Sequence, residues 1–76
     1  MSDFYRAIAD FDLAIKLKPD LAEAFLGRGF AFGYCSENSR AVTDLHRYLE
    51  LRPNADNRKA IEDMILQLEL QKLKTP

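Results

Sequence analysis

Apolar side chains recur at steps of three and four residues along most of the chain, and two internal prolines punctuate the pattern. Phe4, Ala7, Ile8, Phe11, Ala14 and Ile15 fall at that spacing, which lays one apolar stripe along a helix. No run of alternating β-branched residues argues for a strand. Pro19 disfavours helical geometry in the residue before it, so the first helix is expected to end at 18. Asp20 then offers a carboxylate cap to a second helix running to about Tyr34, and Glu23 completes a capping box. Ser36-Glu37-Asn38-Ser39 reads as a tight turn that also caps a third helix, which Pro53 stops. Asn54 to Asp56 opens a fourth, reaching about Leu73. The expectation is an all-α fold of four antiparallel helices, at about 3–18, 21–34, 38–51 and 55–73.

The chain also matches itself at an offset of 34 residues. Ala7 falls on Ala41, Asp10 on Asp44, Phe11 on Leu45, Leu17 on Leu51 and Pro19 on Pro53, with Ala14 on Tyr48. Small residues, large residues and the helix-stopping proline therefore share one spacing. Such a period in a helix–turn–helix unit resembles the tetratricopeptide repeat. Within residues 22–55 the resemblance runs through Phe25, Gly29, Phe32, Ala41, Leu45 and Pro53; within 3–21 it runs through Ala7, Phe11, Ala14 and Pro19. Gly29 and Ala41 lack bulk, so the hairpin's helices can approach closely while Phe25 and Phe32 fill the seam. Two positions depart from the family: Tyr48 replaces an alanine, and Ser36 stands where the turn usually has glycine.

The resemblance implies one TPR-like domain over 1–76, an α-α superhelix. It comprises the second helix of a half repeat at 3–21, a complete repeat at 22–55, and a closing helix at 56–73. The first helix is left without a first-helix partner of its own.

The resemblance further implies a concave groove lined by the first helix of each unit, where a peptide binds. On the second helix, Leu26, Phe30 and Tyr34 form a stripe away from Phe25, Gly29 and Phe32. On the fourth, Ala60, Ile61, Met64, Ile65 and Leu68 form the face expected to seal against the third helix, leaving a second stripe of Leu66, Leu70 and Leu73. Pairing Ile61 with Phe25 and Ile65 with Gly29 puts Leu66 and Leu70 opposite Phe30 and Tyr34. The expected groove is thus Leu26, Phe30, Tyr34, Leu66, Leu70 and Leu73. It suits an apolar or amphipathic segment rather than a peptide carboxylate, because Leu26, Gly27 and Phe30 occupy the places of clamp cations. Two other readings stay open: these residues are simply core, or they form a self-association surface.

Composition narrows the remaining classes. Seventy-six residues with 47% hydrophobic and 30% charged side chains make one small globular domain. A net charge of −1 provides no field for nucleic acid. The chain has no stretch near the roughly 20 apolar residues a membrane span needs and no basic-then-apolar leader at its start. With one cysteine, Cys35, it fits a reducing, cytoplasmic setting. His46 is expected on a solvated face, and no ligand spacing supports a metal. Gly27-Arg28-Gly29 follows no strand, so it is not a phosphate loop. The carboxylates are expected to scatter over solvent faces without the pairing that acid–base catalysis needs. No catalytic role and no cofactor follow. The expectation is a module binding a protein or peptide partner. The alternative is self-assembly, as a dimer or filament, through the unpaired terminal helices.

Overall fold

A computed structural model describes residues 2–74, except for the side chains of Ser2, Lys72 and Lys74. Four helices follow one another: α1 (Ser2–Leu17), α2 (Ala22–Tyr34), α3 (Asn38–Leu51) and α4 (Arg58–Lys74). No strand occurs among the described residues, so the fold is all-α. Both internal prolines stand two residues beyond a helix end, after Leu17 and Leu51.

The helix termini depart from the expected caps. α2 is preceded by Leu21, whose carbonyl accepts the Ala24 N–H at 3.1 Å, and no side chain caps it. Asp20 therefore lies one residue too early to act. α3 is preceded by Glu37, also without a side-chain cap. The turn between α2 and α3 is set from the other side. The Glu37 N–H donates to the Phe32 carbonyl at 2.9 Å and the Ser36 N–H to the Gly33 carbonyl at 3.1 Å. Those are the two crossed bonds of a Schellman ending. The ending needs a left-handed residue at its centre, and Ser36 supplies it at φ 63°. A serine thus holds a conformation that glycine adopts freely.

α4 begins three residues later than expected. Residues 53–54 and 56–57 form two turns instead, with the Ala55 N–H on the Arg52 carbonyl and the Arg58 N–H on the Ala55 carbonyl. Tyr48 accounts for part of this: buried on α3, it donates its hydroxyl to the Asn57 side-chain oxygen at 2.9 Å. The Tyr48 ring thereby ties α3 to the start of α4.

Each helix packs chiefly on its neighbours in sequence. Ala22, Phe25, Leu45, Tyr48, Leu49, Ile61 and Ile65 form the core, with Leu45 fully enclosed. Two glycines permit close approach. A Cβ on Gly29 would stand 3.0 Å from Leu45 Cδ2 and 3.4 Å from the Ala41 carbonyl, so α2 and α3 meet as the pattern implied. A Cβ on Gly27 would run into the Phe11 ring, so this glycine seats α1.

Candidate functional site

A polar junction holds the first three helices together. Arg28 of α2 donates through Nε and Nη2 to the two carboxylate oxygens of Asp44 on α3, both at 2.8 Å. Its Nη1 reaches Asp12 of α1, also at 2.8 Å. Asp44 is only 3% exposed, which corrects the expectation that the carboxylates lie on solvent faces. Burial of a carboxylate costs free energy unless charged donors satisfy it, and the planar guanidinium does so with two parallel bonds. Its bonds to Asp44, more than that to Asp12, hold the Arg28 guanidinium protonated more firmly than in water, against the opposing effect of burial. The Phe25 and Phe32 rings flank Arg28 at 5.6 and 5.8 Å from its Cζ. Arg47 and Arg40 lie over the same two rings from α3. One guanidinium thus serves two carboxylates on two other helices, and the junction positions α1 and α3 against α2.

The opposite side of α2 is apolar. Phe30, Gly33 and Tyr34 of α2 face Met64 and Leu68 of α4 across an open groove of about 260 Å³, with Gln71 at one end. Tyr34 is 73% exposed. Its ring stacks on Phe4 of α1, with centroids 4.8 Å apart and planes 15° from parallel, which extends the apolar wall to a third helix. A stack of that kind fixes the tyrosine's orientation and leaves its far face open to a ligand.

The six expected groove residues divide. Phe30 and Tyr34 line the groove. Leu26 does not line it and, like Phe30, is half-buried against the core. Leu66, Leu70 and Leu73 are exposed, at 56%, 48% and 83%, and do not line it. At 100° per residue they lie on the far side of α4 from Ile61 and Ile65, which enter the core. The α4 wall is Met64 and Leu68 instead. These stand 34 positions after Phe30 and Tyr34, whereas pairing Ile61 with Phe25 had imposed a step of 36. The spacing that relates α1 to α3 was the available signal, and it relates α2 to α4 as well.

The structure defines this class: an all-α protein of four sequentially packed helices with an apolar groove between the second and fourth. No family model matches the chain, and no solved structure matches it. Two curated relatives, from Xylella fastidiosa strain Temecula1 / ATCC 700964 and strain 9a5c, are each 33% identical to it over 70 residues. Both carry the name "UPF0162 protein", which states no activity. The alignments cover 92% of this chain and 25% of each relative, so the chain spans about a quarter of the length of the curated relatives it matches.

Proposed function

We propose that this chain is a tetratricopeptide-like interaction module that holds an apolar or amphipathic segment of a protein partner in the groove between α2 and α4. The observation that carries the reading is the equivalence of the groove's two walls. Phe30 and Tyr34 on one wall, and Met64 and Leu68 on the other, are the same two positions of a 34-residue unit. A repeated surface presents matching apolar sites at regular intervals, which suits a helical or extended segment with apolar side chains at regular intervals. The rim supports an apolar ligand, because the charged junction of Arg28, Asp12 and Asp44 faces the other way.

The test is selection from a displayed library of random peptides, followed by titration of the selected peptides. Met64→Glu and Tyr34→Ala are each expected to weaken binding about tenfold or more, with helical circular dichroism unchanged. Selected peptides that bind both variants as tightly as the parent would remove the groove from consideration.

Self-assembly through the terminal helices has less support. Leu66, Leu70 and Leu73 do expose apolar area on α4. That face of α4, however, holds Glu62 and Asp63 at the positions where α2 has Arg28 and Gly29. Stacking a further helix there, as α3 stacks on α2, would meet acid in place of base and a side chain in place of none. Static light scattering over a concentration series is expected to give a constant monomer mass; mass that grows with concentration would favour assembly.

A further inference from the structure

Helix α1 carries a second copy of the surface by which α3 holds α2, and this copy is open. On α3, Arg40 lies over the Phe32 ring at 5.7 Å. Ala41 is fully buried, its carbonyl 3.4 Å from the place of a Cβ on Gly29. Asp44 takes Arg28 in its two-bond ion pair. Thirty-four residues earlier, α1 has Arg6, Ala7 and Asp10, the same three residue types in the same order. Leu13 then stands at the position of Arg47, which covers Phe25. Arg6, Asp10 and Leu13 are exposed, and Ala7 is only half-buried.

We propose that this outer face of α1 is a docking site for an amphipathic helix of α2's chemistry. Such a helix has an arginine followed directly by glycine, with large aromatic residues three before and four after that arginine, as in Phe25, Arg28, Gly29 and Phe32. Asp10 is the charge complement of the arginine, Ala7 admits the close approach of the glycine, and Arg6 and Leu13 cover the two aromatic rings.

A second copy of the chain does not supply that helix. Its α2 is engaged by its own α3. Its α4 would bring Glu62 against Asp10, and like charges facing each other oppose association. Asp63 would place a side chain where even a Cβ on Gly29 meets Leu45 at 3.0 Å. The occupant is a helix from outside residues 2–74.

The test extends the full chain with a duplicate of residues 20–34 placed directly before Met1. Met1, Ser2 and Asp3 then stand where Cys35, Ser36 and Glu37 stand in the native turn. Urea unfolding of the extended chain is expected to remain a single transition, with a higher midpoint and a steeper slope from the added buried surface. Asp10→Asn is expected to lower its folding constant at least tenfold, as loss of a charged hydrogen-bonded pair does, and to change the unextended chain less than twofold. Amide NMR shifts of Arg6, Asp10 and Leu13 should move on extension. An unchanged midpoint with an unprotected extension overturns the proposal, as does an equal effect of Asp10→Asn in both chains. Dimerisation of the unextended chain that Asp10→Asn abolishes would also overturn it, by giving the face to a second copy.

Discussion

Two backbone positions show single residues working against or for local geometry. Ser36 holds φ 63° because the crossed hydrogen bonds from Ser36 and Glu37 require a left-handed residue there. An L side chain in that region costs on the order of 1 kcal/mol. Ser36→Gly is therefore expected to stabilise the chain by about 0.5–1 kcal/mol, less than the full relief because glycine adds unfolded-state freedom. A urea midpoint that falls instead would show the serine side chain to be contributing. Gly27 is the opposite case. Alanine is the better helix former by about 1 kcal/mol, yet its methyl would enter the Phe11 ring. Overpacking of that kind costs about 1–3 kcal/mol, so Gly27→Ala is expected to lose about 1 kcal/mol net. Phe11→Leu should relieve most of this in a double-mutant cycle.

Between elements, the ion pair of Arg28 and Asp44 does what apolar contact alone could not. It fixes the rotation of α2 about its axis against α3, and Asp12 extends the same restraint to α1. Removing Asp44 leaves Arg28 with only the exposed Asp12 as a partner, so Asp44→Ala is expected to cost about 2 kcal/mol. Asp12 is more than half exposed, and Asp12→Ala should cost under about 1 kcal/mol. Equal losses from the two substitutions in thermal unfolding would mean that burial does not distinguish the two bonds. The guanidinium's proton affinity is raised in the folded state. A group shifted this way contributes fully below its unfolded pKa, and the contribution fades only as pH rises through the folded value. The Arg28 contribution is thus expected to be constant from neutral to mildly alkaline pH, which urea midpoints at several pH values would check.

At the scale of the whole molecule, the four helices and their turns measure 37 × 32 × 15 Å across the Cα atoms. The groove between α2 and α4 and the charged hollow between α1 and α3 lie on opposite sides of α2. Apolar binding and helix fastening are thereby separated, so groove substitutions such as Met64→Glu can change recognition without loosening the ion-paired junction. No helix among the described residues is long and apolar enough to cross a membrane.

Periodicity alone determined that four helices form, where the prolines stop them, and which glycine lets α2 meet α3. These are local or evenly spaced properties, written in residue type and interval. The intervals also held the register of α4, since Met64 and Leu68 follow Phe30 and Tyr34 by the same 34 residues. A broad apolar face admits more than one pairing, however, and contact with α3 selected Ile61 and Ile65 for the core while leaving Leu66, Leu70 and Leu73 outside. Tertiary structure alone decided the burial of Asp44, because a carboxylate reads as polar until a guanidinium from another helix is brought to it. It likewise decided the stack of Phe4 on Tyr34 and the anchoring of Asn57 by Tyr48. Each joins side chains on different elements, and that proximity depends on how the helices cross rather than on spacing within any one of them.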